Sequence, residues 1–305
     1  MPPNRKSVMI LRLAIVVVLA LAGGAWFLTR PAPLAADALD GLIGDAANGA
    51  VIFAASGCAS CHTAPGAEDE GLPVLAGGRT FASDYGTFMA PNISSDPEAG
   101  IGRWTDLELA SAIQSGVSPE GAHYYPAFPY TAYAKAAPQD IVDLIAYLRT
   151  LPADASPSLP HDLDLPFRFR ASLGGWKLLF ASTDWVVPDP VSPEVERGRY
   201  LVEALGHCAE CHTPRNALGG LQRDRWMAGA PAASGPGRVP NITTGGLSWS
   251  VDEVAEYLKS GFTPEFDTAG GEMVEVIKNT RQLSDADRLA IASYLAALPP
   301  LGPDS

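Results

Sequence analysis

The sequence predicts an all-α chain: two tandem copies of one helical unit behind an N-terminal membrane anchor. Three observations predict it. An uncharged apolar run opens the chain, the motif Cys-x-x-Cys-His occurs twice, and the segments after each motif repeat in the same order. Period-two runs rich in Val, Ile and Thr are nearly absent, so no substantial sheet is expected. With 30 Gly and 27 Pro in 305 residues, many loops and short helices are expected instead.

Residues 1–30 form the first element. Arg5, Lys6 and Arg12 precede the uncharged stretch LAIVVVLALAGGAWFL at 13–28, and Arg30 and Pro31 end it. A membrane span needs roughly 17–25 residues, and interfacial aromatics belong at its ends, where Trp26 and Phe27 stand. The small-residue cleavage candidate at 36–38 lies beyond Arg30 and two prolines, which favours an uncleaved anchor over a removed signal. The basic N-terminus keeps that end inside, so the rest of the chain is expected in the periplasm, held to the inner membrane, with residues 31–43 as a linker.

Residues 44–152 and 193–300 are the two copies. Cys58, Cys61 and His62 make the first motif; Cys208, Cys211 and His212 make the second. A disulfide pair, a thioredoxin-type site or a four-cysteine zinc site would explain the cysteines. None explains why a histidine follows each pair directly. Cys-x-x-Cys-His is the attachment signature of c-type haem. Two cysteines one helical turn apart can form thioethers with the two vinyl groups, and the next residue turns its imidazole to the iron. Two covalently bound haem c groups are therefore expected.

The rest of each copy matches. Pro-Asn-Ile recurs at 91–93 and 240–242. Thr105 with Glu108, and Ser250 with Glu253, have capping-box spacing, and Gly116 and Gly261 supply the helix stops. A final helix precedes Leu-Pro in both, with Ile141, Leu144, Ile145 and Leu148 at helical spacing in the first. Each copy reads as helix, haem motif, long loop, helix, loop, helix: two tandem cytochrome c domains. Residues 153–192 join them as a packed connector in which GWKLLF forms one or two helical turns.

A second axial ligand decides whether the iron carries electrons or takes a substrate. Met273 lies twelve residues after Gly261, in a loop before the final helix, and is expected on the second iron. Twelve residues after Gly116 comes Phe128, which cannot ligate. For the first iron Met89 is the tentative ligand and His123 the alternative, or the position is open or held by water. His161 and His207 are expected to be loop residues.

The net charge of −13 argues against nucleic acid and suits a basic protein partner. No Ser-His-Asp set, phosphate loop or dinucleotide fingerprint is visible. The motifs CxxCH, PNI, GIGRWT and YPAFPY, followed by GHCAECHTPRN, PNIT, GFTPEFD and GGEM, resemble the multihaem cytochrome c subunits of membrane-bound periplasmic dehydrogenases, over about residues 45–299. The resemblance implies electron transfer from a dehydrogenase to quinone or to a downstream cytochrome or oxidase. Such subunits usually carry three haems and read YPAMPY, where this chain has two motifs and Phe128. The competing expectation is a dihaem enzyme, similar in outline to a peroxidase or a thiosulfate dehydrogenase, with an open first haem.

Overall fold

The structure is a computed structural model and describes residues 5–67, 71–232 and 237–302. Helix α1 (Arg5–Thr29) touches the rest of the protein only near its C-terminal end, at Thr29, and the 22 residues Val8–Thr29 form a stretch of mean hydropathy 2.5 that is otherwise uncovered. At the α-helical rise 25 residues span roughly 37 Å, enough for a hydrocarbon core of about 30 Å.

The first unit runs α2 (Ala46–Ala55), α3 (Cys58–His62), strands β1 (Thr80–Ser83) and β2 (Gly86–Met89), α4 (Asp106–Ala110), α5 (Tyr130–Tyr133) and α6 (Pro138–Leu148). Strand β3 (Asp162–Leu163) and α7 (Ser172–Phe180) belong to the connector. The second unit runs α8 (Pro193–Tyr200), α9 (Ala209–His212), the short strands β4 (Ala230–Pro231) and β5 (Arg238–Val239), α10 (Val251–Ser260), α11 (Met273–Thr280) and α12 (Asp285–Ala297). A π turn continues α4 over Ser111–Ser115, and another continues α8 over Leu201–Leu205.

Both expected capping boxes form. Thr105 Oγ1 accepts the Glu108 N–H while Glu108 accepts the Thr105 N–H, and Ser250 and Glu253 repeat the exchange. Gly116 and Gly261 close their helices at φ 59° and 82°, in the left-handed region that costs glycine little.

The first and last helices of each unit cross at a glycine. A Cβ on Gly49 would run into the Asp143 carbonyl and Tyr147 of α6. A Cβ on Gly198 would meet the Ala290 carbonyl and Tyr294 of α12. Ile52, Phe53, Ile141, Ile145 and Leu148 are buried at the first crossing, and Leu201, Val202, Leu205, Ile291 and Tyr294 at the second. One apolar cluster runs through both units.

The fold is not purely helical. β1 and β2 form an antiparallel hairpin, Thr80 opposite Met89 and Ser83 opposite Gly86, and β3 adds to its edge. β4 and β5 make a smaller ribbon at the matching place in the second unit. Strands of two to four residues are too short to leave an alternating pattern in the sequence.

Candidate functional site

The haem-attachment helices α3 and α9 are each held from behind by a proline carbonyl. His62 Nδ1 lies 2.9 Å from the Pro91 oxygen, and His212 Nδ1 lies 2.8 Å from the Pro240 oxygen. A carbonyl only accepts, so Nδ1 carries the proton in both rings and donates it. Nε2 keeps its lone pair, the state in which imidazole ligates iron. Burial lowers the pKa of both histidines, which favours the neutral ring further.

The loop that brings each proline into place is built identically. Gly77 N–H donates to the His62 carbonyl at 2.7 Å, and Gly229 N–H to the His212 carbonyl at 2.8 Å. Ile93 N–H then pairs with the Leu75 carbonyl, and Ile242 N–H with the Met227 carbonyl. The asparagine of each Pro-Asn-Ile ties the loop to the chain after the last helix. Asn92 Nδ2 donates to the carbonyls of Asp154 and Ser156, and Asn241 Nδ2 to that of Leu301. This role was missed in the sequence, although the repetition of the tripeptide pointed to it.

The cysteines form no disulfide. Burial pushes the Cys58 thiol up to about 12 and those of Cys61 and Cys208 up to about 11; Cys211 is raised by burial and by Glu210. A redox-active or nucleophilic pair needs the opposite shift, toward thiolate. Paired neutral thiols on one helical turn, followed by an imidazole with a free Nε2, fit covalent haem attachment. Cys58, Cys61 and His62 would hold one haem, and Cys208, Cys211 and His212 the other.

The loops expected to deliver the sixth ligands match bond for bond. Tyr124 N–H donates to the Gly116 carbonyl at 2.8 Å, and Ala269 N–H to the Gly261 carbonyl at 2.7 Å. Val117 bridges His123, and Phe262 bridges Thr268. This register places Phe128 and Met273 at equivalent positions. Met273, half-buried, starts α11 and packs on the core. Phe128 packs on the core too, with ring contacts to Tyr124, Tyr130 and Tyr133.

Of the two candidates for the first iron, Met89 lies outside this loop and His123 within it. Met89 ends β2, two residues before Pro91, and its N–H donates to His161 Nδ1 at 3.1 Å. His123 is buried, with Nε2 at 2.9 Å from the Thr29 carbonyl at the end of α1. His161 packs against the rings of Phe88 and Tyr125.

The two attachment motifs are neighbours. His207, just before Cys208, reaches the Ser56 carbonyl with Nε2 at 3.2 Å, and Tyr133 donates its hydroxyl to the same oxygen at 3.1 Å. Ser60, between Cys58 and Cys61, meets α11: Asn279 Nδ2 donates to its Oγ at 2.6 Å. Arg79 donates to the Ser60 carbonyl at 2.7 Å and pairs with Glu272 at 2.8 Å. The helix carrying the first motif thus packs on the helix that starts with Met273.

A buried ion pair locks the units together nearby. Lys135 of the first unit lies 3.2 Å from Glu203 of the second, both almost fully buried. Glu203 also accepts the N–H groups of Val186 and Val187, at 2.7 and 3.2 Å, and the Tyr294 hydroxyl. Burial lowers the Lys135 pKa, and Glu203 opposes the shift. Cys58 is the ninth residue after Gly49, and Cys208 the tenth after Gly198. The π turn Leu201–Leu205 takes up the extra residue and holds Glu203 in the interior. That difference of one was the only trace of Glu203 in the sequence.

Comparison with known proteins agrees with this geometry. The family described as cytochrome c matches residues 46–152 and again 195–299. A "Diheme cytochrome c-type" protein of Cereibacter sphaeroides is 54% identical over 283 residues, covering 93% of this chain and 95% of that protein. The fructose dehydrogenase cytochrome subunit of Gluconobacter japonicus is 40% identical over 254 residues, 80% of this chain but 51% of that subunit. The cytochrome c subunit of the quinone alcohol dehydrogenase of Gluconobacter oxydans is 35% identical over 300 residues, 92% of this chain and 60% of that subunit. The chain thus spans almost the whole of the first relative and little more than half of the other two.

Proposed function

The chain belongs to the cytochrome c family and carries two covalent haem c groups, and from that premise we propose that it is a membrane-anchored periplasmic electron carrier. It takes electrons from a dehydrogenase and passes them to a downstream cytochrome or oxidase of the respiratory chain. The names of the fructose and alcohol dehydrogenase cytochrome subunits support a dehydrogenase donor. The uncovered apolar helix α1 supports anchoring at the inner membrane.

The observation that carries the reading is the packing of the first attachment helix on α11 through Ser60 and Asn279. The haems supply iron that cycles between ferric and ferrous states, and the protein positions and tunes it. His62 and His212 would hold the two irons, each oriented by its proline carbonyl. Met273 would offer a soft thioether to the second iron, which would favour the reduced state and raise the potential. Met89 is the proposed sixth ligand of the first iron, with His123 as the alternative, since its Nε2 bonds the Thr29 carbonyl but its Nδ1 has no partner. Stopped-flow reduction tests the reading. Both haems should take up electrons and exchange them faster than the protein turns over with its dehydrogenase. A haem that never cycles in a physiological potential range would refute it.

One observation favours a second reading. Phe128 stands where Met273 stands in the other unit, as an open first haem in a dihaem enzyme would require. Optical and EPR spectra of the oxidised protein separate the two. Two low-spin haems, inert to peroxide and cyanide, exclude the enzyme; a high-spin first haem excludes the Met89 assignment.

A further inference from the structure

The connector between the units carries an apolar face that the function above does not use. Leu165 is 70% exposed, Phe169 64%, Leu178 60% and Leu179 69%. One side of α7 faces the protein. Leu173 is buried there, Lys177 Nζ donates to the carbonyls of Ser115 and Gly116 at 2.6 and 2.8 Å, and Trp176 Nε1 donates to the Leu218 carbonyl at 3.0 Å.

The other side faces the anchor. Gly174 lies so close to the Thr29 carbonyl, at the end of α1, that any Cβ would collide with it. Leu178 is four residues on from Gly174 and therefore on the same stripe of the helix. The exposed leucine continues the surface that touches the anchor. The charge fits as well. Residues 165–180 hold no acidic residue in a chain of net charge −13; Lys177 is turned inward, and Arg168 and Arg170 are the cations left to that segment, Arg168 with its side chain 62% exposed. Arg30, exposed at the end of the anchor, adds a cation.

We infer that this face lies in the headgroup layer of the bilayer that α1 crosses, with Phe169 and Leu178 inserted among the lipids. The inference rests on α1 being a membrane anchor. An interfacial segment needs an apolar face, cationic flanks and attachment to the anchor, and the connector has all three. It is also fastened to the first unit. Arg170 donates to the His123 carbonyl at 3.2 Å, Tyr125 donates its hydroxyl to the Phe167 carbonyl at 3.0 Å, and His123 Nε2 donates to the Thr29 carbonyl. The loop at 121–130 is thus the clasp between anchor, connector and first haem unit. The connector sets how the haems stand above the membrane.

Spin labels test this on the full haem-loaded protein in phosphatidylethanolamine–phosphatidylglycerol vesicles. Single variants Phe169→Cys, Leu178→Cys and Leu179→Cys probe the face. Leu19→Cys probes the anchor, and Val191→Cys, 85% exposed in the connector, is the aqueous reference. All five sites are exposed, and unchanged haem absorption certifies each fold. The readout is the ratio of collisions with oxygen to collisions with a water-soluble nickel chelate. The connector-face labels and Leu19 should give ratios several-fold above Val191. Leu19 high with the three face labels at the Val191 level overturns the inference and leaves the anchor standing. Leu19 at the Val191 level overturns both. Face labels shielded from oxygen and nickel alike mark a protein-binding face and overturn the lipid assignment.

Discussion

Glu203 accepts the Tyr294 hydroxyl at 2.8 Å, five residues ahead of Cys208; five residues ahead of Cys58 the first unit instead tilts Phe53 against Tyr147, ring centroids 5.2 Å apart. One unit uses a carboxylate where the other uses a ring, and the carboxylate is the one that reaches Lys135 across the unit boundary. Glu203→Ala leaves Lys135 buried and unpaired, which costs about 3 kcal/mol. Tyr294→Phe removes two buried hydrogen bonds, one to Glu203 and one from Trp226 Nε1, and costs about 2 kcal/mol. Glu203→Leu combined with Lys135→Met should be milder than Glu203→Ala alone, because no charge is stranded. Urea unfolding followed by haem circular dichroism measures all three.

The glycine crossings leave no room for a side chain. Gly49→Ala and Gly198→Ala each drive a methyl group into backbone of the facing helix, so that helix must move. A loss of about 1–3 kcal/mol is expected for each, together with poorer haem incorporation. Gly175→Ala is the control, since a Cβ there meets nothing within 4 Å. Equal yields of holoprotein from all three would contradict the crossing geometry.

The sixth ligands can be exchanged. Met273→Leu should lower the potential of the second haem and leave the first unchanged. Met89→Leu should alter the first haem alone. Phe128→Met should raise the potential of the first haem if the register with Met273 is right. Spectra and redox titrations of the variants decide each case.

Stability at low pH should depend on Asp143. Burial raises its pKa, but hydrogen bonds from the Asp45 N–H, Asn48 and Gln139, at 2.7–2.8 Å, outweigh that and hold it below the usual carboxylate range. A carboxylate depressed in the folded state contributes stability above its unfolded value. It loses that contribution as pH falls through the folded one. Asp143→Asn should therefore narrow the stability difference between neutral pH and pH values below about 4. An acid-unfolding profile identical to the parent would show that the carboxylate carries no such linkage.

The haem motifs, the repeat and the apolar segment were legible in the sequence because each is a constraint of fixed spacing. Thioether attachment needs Cys58 and Cys61 three apart with His62 next, and a capping box needs Thr105 and Glu108 three apart. What escaped depends on long-range contact. Lys135 and Glu203 are 68 residues apart and read alone as surface charges. The Thr29 carbonyl that His123 Nε2 meets is likewise 94 residues away. Pro91 and Pro240 act through their carbonyls, which a sequence does not distinguish from any other. The small sheets escaped because β3 supplies two residues from a different part of the chain.

The π turn at Leu201–Leu205 bears on how the two halves diverged. An insertion in an α-helix rotates everything beyond it by about 100°, which would swing Cys208 away from its haem or Gly198 away from its crossing. Absorbed in a single wide turn, the extra residue leaves both ends in phase. A duplicated unit can therefore change length by one, gain a carboxylate in its interior and keep its cofactor. The bulge thus lets the second half present an interior carboxylate to Lys135 where the first half has a phenylalanine ring.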